Sequence, residues 1–149
     1  MAVVFAGDLP AATISDRVRR GQLVRLATGV YTTDLRSGPA AVVAREWHAI
    51  VGRMLPRAVI TDRSARTGGP AGGVLYLSHE GRGREVELPG MTVLARSGAG
   101  PLDGDVQLPG GLYQASKPRA LAENTRPSRS RGGRARRTLD WAELGDWID

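Results

Sequence analysis

The stretch AATISDRVRRGQLVRLATGVY, residues 11–31, decides how this chain reads. Ile14 and Val18 are four residues apart and share one face of a helix, while Arg17, Arg19 and Arg20 point elsewhere. The result is a thin apolar seam with a basic outer surface. With Leu9 and Pro10 as a turn, Asp8 to Gln22 reads as the remnant of a helical hairpin; Thr13 or Ser15 is placed to cap its second helix and Gly21 to end it. Leu23 to Thr33 then gives two β-rich runs around a turn that Gly29 closes with a positive φ. A helix bearing surface arginines that runs straight into a short hairpin is the geometry by which winged-helix proteins set a helix in the major groove and a wing on the backbone.

Downstream, Pro39 suits a first helical position. Val43, Trp47, Ile50, Val51 and Met54 recur at helical spacing, predicting an amphipathic helix over Ala40 to Leu55 that Pro56 stops. Ala58 to Thr61 is a short buried strand, Asp62 and Ser64 can start one helical turn, and residues 68–73 are a Gly-rich loop. The middle is β-rich, with runs at Val74 to Ser78, Arg84 to Leu88, Thr92 to Arg96 and Leu112 to Ala115, separated by Gly/Pro turns. Lys117 to Asn124 is a short helix. Thr138 can cap a last helix that carries Trp141, Leu144, Trp147 and Ile148, two of them Trp rings in need of burial.

The chain carries a formal charge of +6, and Lys117 is its one lysine. Arg126, Arg129, Arg131, Arg134, Arg136 and Arg137 stand together without an acid between them and equal the whole excess. Arginine forks match phosphate and guanine bidentately, so the basicity suits nucleic acid. The Arg126 to Arg137 segment is polar enough to be mobile, a flexible linker or a phosphate-neutralising tail. It has no aromatic residue, which argues against stacking on single strands. The absence of cysteine removes disulfides, thiolate chemistry and Cys-based zinc sites. No apolar run reaches the ~20 residues of a membrane span and no secretory pattern opens the chain, so a cytoplasmic location is expected.

Catalytic patterns are missing. His48 and His79 are the two histidines, and neither has a partner at metal-ligand spacing; a rim position on the amphipathic helix suits His48. Ser64 and Ser78 lack a nucleophile elbow, there is no phosphate-binding P-loop, and Lys117 has no Glu two residues before it. Asp103 and Asp105 sit in a turn, where bridging a loop suits them better than holding Mg²⁺. The expectation is a protein without catalytic machinery, metal or cofactor.

The strings Gly21 to Tyr31, Ala58-Val59-Ile60-Thr61-Asp62-Arg63-Ser64-Ala65, Leu88-Pro89-Gly90 and Arg119-Ala120-Leu121-Ala122-Glu123-Asn124 together resemble the AbiEi antitoxin family. The likeness is especially to the AbiEi-type region ahead of the catalytic domain in some Fic family proteins. It spans nearly the whole chain in the right order. The Fic motif itself, His-Pro-Phe followed by an acid and Gly-Asn-Gly-Arg, is absent. The resemblance implies an N-terminal winged helix that binds promoter DNA and represses its operon, followed by a domain tied to neutralising a nucleotidyltransferase toxin. Carried over by position, it implicates the helix with Arg17, Arg19 and Arg20 and the hairpin with Arg25, Thr28 and Tyr31. A full helix-turn-helix has two further helices ahead of the recognition helix, so the unit here is a shortened one.

The expected fold is therefore α+β: a shortened winged helix-turn-helix over residues 1–36, a small mixed, mostly antiparallel β-rich domain with flanking helices over 37–125, an Arg-rich loop or linker over 126–137, and a C-terminal helix over 138–149. The expected function is a DNA-binding transcriptional regulator of a toxin-antitoxin system. Its contacts to double-stranded DNA, its own promoter first, come from Ser15, Arg17, Arg19, Arg20, Arg25 and Thr28 together with the six clustered arginines. The alternative is a non-catalytic interaction module that masks a cognate toxin or a Fic-type catalytic domain without touching DNA. Trp141 and Trp147 would be its docking surface.

Overall fold

The computed structural model describes residues 2–128 and 136–149, an α+β arrangement with two sheets. The chain opens with strand β1 (Val3–Phe5), helix α1 (Ala11–Arg19) and the hairpin strands β2 (Val24–Ala27) and β3 (Val30–Thr32). These strands form a small antiparallel sheet in the order β1-β3-β2. Residues 8–22 hold one helix and not a helical hairpin, and its N-cap is Pro10, with Thr13 and Ser15 inside it. Ala11 and Ala12 are good helix formers, so the helix extends upstream of both expected caps. Its end does follow the expectation. Gly21 takes φ 72, and the Gly21 and Gln22 amides donate back to the Val18 and Arg17 carbonyls at 3.1 and 2.8 Å. This is a Schellman stop, and it aims the chain directly into β2.

Helix α2 (Pro39–Met54) starts with Pro39 in its first turn, as expected, and bends at Glu46, whose φ of −118° leaves the helical range. Its buried face, Val42, Val43, Trp47, Ile50 and Val51, is the centre of the main core. That core also takes in Val3, Phe5, Leu26 and Val30 of the first sheet and Leu75, Leu77 and Val93 of the second, so the N-terminal unit is fastened to the rest by shared packing.

The second sheet comprises β4 (Val59–Ile60), β5 (Val74–His79), β6 (Arg84–Leu88), β7 (Met91–Ser97), β8 (Val106–Gln107) and β9 (Tyr113–Gln114); α3 (Arg63–Thr67) lies between β4 and β5. Its order is β6-β7-β5-β4-β9-β8. The longest pairing, β5 with β7, is parallel, as is β4 with β9, whereas β4–β5, β6–β7 and β8–β9 are antiparallel. The sheet is thus more evenly mixed than expected, because β6 swings to the outer edge and lets β7 return alongside β5.

Helix α4 (Lys117–Asn124) is capped by the Ser116 hydroxyl, which accepts from the Arg119 amide. Helix α5 (Trp141–Ile148) begins at Asp140, not Thr138. Asp140 and Glu143 form a capping box, each side chain bonded to the other's backbone amide. Of the two Trp rings expected to need burial, Trp147 is half-buried and Trp141 is 77% exposed. No helix among the described residues is long and apolar enough to cross a membrane.

Candidate nucleic-acid interface

Helix α1 buries one residue, Ile14. Everything else on it is exposed or half-exposed, including Ser15 and Arg17. Arg19 and Arg20 both reach Asp16, at 2.5 and 3.1 Å, and their side chains remain 78% and 65% accessible. Exposed pairs of this kind contribute about 0–1 kcal/mol and are screened by salt, so a polyanion can compete for both guanidiniums. Asp16 holds the two arginines over one turn of the helix without burying them.

The hairpin brings the remaining predicted residues alongside. Arg25 is exposed on β2, and its guanidinium donates to Thr28 Oγ1 at 2.9 Å and to the Ala27 carbonyl at 3.4 Å. The Arg25 fork is thereby folded toward the hairpin tip. Gly29, at φ 74, turns that tip, and its carbonyl accepts from the Ala6 amide at 2.9 Å, anchoring it to the chain just after β1. Tyr31 is half-buried in β3, opposite Val4 and Arg25.

The arginine cluster divides differently from the sequence expectation. Arg129, Arg131 and Arg134 lie outside the described residues. Arg126 and Arg136 are exposed. Arg137 is half-buried and its guanidinium pairs with Asp62 at 3.1 Å.

Asp62 belongs to a charged cluster that the sequence reading missed. Its buried carboxylate also receives Arg96, which bridges on to Glu123. Arg119 links Glu123 to Asp105, and Thr61 donates to Glu123. Burial works to raise the Asp105 carboxyl, but the Leu102 and Ser116 amides and Arg119 outweigh it and hold the pKa below the usual range. Glu123 is likewise depressed, with Thr61, Arg119 and Arg96 overcoming its burial. Three acids against three arginines leave the cluster neutral, and its buried hydrogen-bonding atoms are satisfied. It is a clasp for the loops around α3 and α4. Asp105 bridges its loop, as expected. The one local hint was Arg119 and Glu123 at i,i+4 spacing.

His48 is half-buried on α2 and stacks on Trp47 at 3.6 Å, and burial lowers its pKa. His79 is tied into its own turn. Among the described residues no group of three His, Cys, Asp or Glu side chains is placed to hold a metal ion. Comparison with known proteins supplies no relative to set beside this geometry: no family model matches the chain, and no curated protein or solved structure matches it.

Proposed function

We propose that this chain is a DNA-binding regulator of the AbiEi antitoxin type, with α1 and the β2–β3 hairpin as a shortened winged helix. The observation that carries the reading is the Schellman stop at Gly21, which joins an arginine-bearing helix to an arginine-bearing hairpin. Arg17, Arg19, Arg20, Arg25, Ser15 and Thr28 all remain exposed. Phosphate contacts by Arg19, Arg20 and Arg25 position the helix, and Ser15 and Arg17 are the candidates to reach base edges. The test is titration of duplex DNA from the protein's own upstream region at several salt concentrations. The reading expects binding with a steep salt slope that weakens on Arg19→Ala with Arg20→Ala. An unaffected affinity in that variant would remove it.

A second reading draws on Trp141 and Ile148, which are 77% and 59% exposed on the same side of α5, seven residues apart. Such an apolar ridge suits a protein partner, a cognate toxin or a Fic-type catalytic domain. Capture of the neighbouring gene's product, lost on Trp141→Ala, together with no DNA complex would favour it.

A further inference from the structure

A second basic surface lies at the end of α2. A groove of about 520 Å³ opens there, with Met54, Leu55 and Pro56 on one side and His79, Arg82 and Arg84 on the other. Among the described residues no carboxylate lines it. The β5–β6 turn that forms its wall is fixed internally. His79 Nε2 lies 2.7 Å from the Arg82 carbonyl, and Nδ1 accepts from the Gly81 amide at 3.3 Å. The imidazole is therefore occupied by the turn, and the cations left to meet a ligand are Arg82 and Arg84, both exposed. Arg82 closes the turn and Arg84 opens β6, and both line the groove. Arg84 Nη1 also donates to the Met54 carbonyl at 3.4 Å, which draws it against the end of α2.

Strand β2 of the hairpin packs against β6, whose first residue is Arg84. The tip carbonyl of Gly29 bonds to Ala6. Phe5, beside Ala6, lies under the Arg53 guanidinium at 4.9 Å. Arg53 precedes Met54, the groove's own lining residue. Asp8 is paired with Arg53 at 2.7 Å, and the Phe5 amide together with Arg53 holds its pKa below the usual carboxylate value. Arg82 and Arg84 thus add two exposed positive charges beside the hairpin strand that carries Arg25.

We infer that the Arg82–Arg84 groove is a second contact for the sugar-phosphate backbone of the duplex bound by α1 and the hairpin, one that adds affinity without reading sequence. The inference rests on the DNA-binding reading and extends its footprint from the hairpin tip across the end of α2. An open groove lined by two arginines, with no amide or carboxylate side chain in its lining to tell one base from another, fits a phosphodiester run.

The experiment measures fluorescence anisotropy of a labelled duplex carrying the upstream region, and of a scrambled duplex, across a salt series with the full chain. For Arg82→Ala with Arg84→Ala the expected result is a salt slope shallower by about 1–2 units, near 0.9 per phosphate contact removed. Affinity at fixed salt should fall about tenfold on both duplexes, leaving their ratio unchanged. Arg82→Lys with Arg84→Lys retains the slope, and matching circular dichroism spectra establish that the variants fold. A slope and affinity equal to those of the parent, with Arg19→Ala and Arg20→Ala still weakening binding, overturns the groove and spares the DNA reading. A parent protein that binds neither duplex overturns both. A change in the ratio between the duplexes overturns the backbone-only role.

Discussion

Arg63 and Glu143 form a two-pronged ion pair, Nη1 to Oε2 at 2.5 Å and Nη2 to Oε1 at 3.0 Å, that fastens α5 to the start of α3. Glu143 simultaneously accepts the Asp140 amide of its own capping box at 3.2 Å. Arg63 also donates to the carbonyls of Arg136 and Thr138. One arginine thus positions the whole C-terminal segment, and Asn124 completes the attachment by accepting the Leu139 amide.

The Arg63 guanidinium pulls the Glu143 pKa down to about 2. A carboxylate depressed on folding adds stability that is complete above its unfolded pKa, ordinarily about 4.3, and is lost as pH falls through the folded value. Thermal unfolding of the parent protein should therefore lose more stability between about pH 4.5 and 2 than Glu143→Gln does. Parallel melting curves for the two proteins across that window would refute the assignment.

Gly52 is a helical glycine that helix propensity alone would exchange for alanine with a gain of about 1 kcal/mol. Here a Cβ would stand 2.0 Å from the Gly110 carbonyl oxygen and 2.8 Å from its carbon. Neither backbone can yield without moving α2 or the 108–111 turn. Gly52→Ala should instead destabilise by about 1–3 kcal/mol in urea unfolding, and a stabilised variant would contradict the packing.

Arg96 meets both Asp62 and Glu123 at the centre of the buried cluster. Its removal leaves Asp62, 1% exposed, to Arg137 alone and Glu123 to Arg119 and Thr61. Arg96→Ala should cost about 1.5–3 kcal/mol, the loss of charged hydrogen bonds to acids that each keep another arginine. A cost under about 1 kcal/mol in chemical denaturation would mean that water reaches these acids freely.

Trp141 is the opposite case. With 77% of its surface accessible it has little packing to lose, so Trp141→Ser should shift unfolding free energy by no more than about 0.5 kcal/mol. A larger loss, read from the same denaturation curves, would place the ring in the core.

Much of the fold was legible where the signal is local. The helical period of Val43, Trp47, Ile50 and Val51 located α2 within a residue at each end, and the Arg84–Leu88 strand fell where alternation and its Gly-rich turn put it. Strands β1 and β8 have three and two residues, too few to carry a period, and exist through pairing with distant partners. The parallel match of β5 with β7 depends on where β6 goes, which no local pattern encodes. The last helix shows a different kind of miss: the Asp140-x-x-Glu143 capping box was present in the sequence and outranks a lone Thr138. For the candidate site, the exposure of α1 and the hairpin followed from amphipathicity. The capture of Arg137 by Asp62 joins positions far apart in the chain, so nothing local announced it.

Backbone amide chemical shifts of the labelled protein, recorded as duplex DNA from its upstream region is added, report on the central claim residue by residue. The largest changes are predicted at Ser15 to Arg20 of α1 and at Arg25 to Gly29 of the hairpin. Changes confined to the arginines after Asn124, or none at all at saturating duplex, would contradict it.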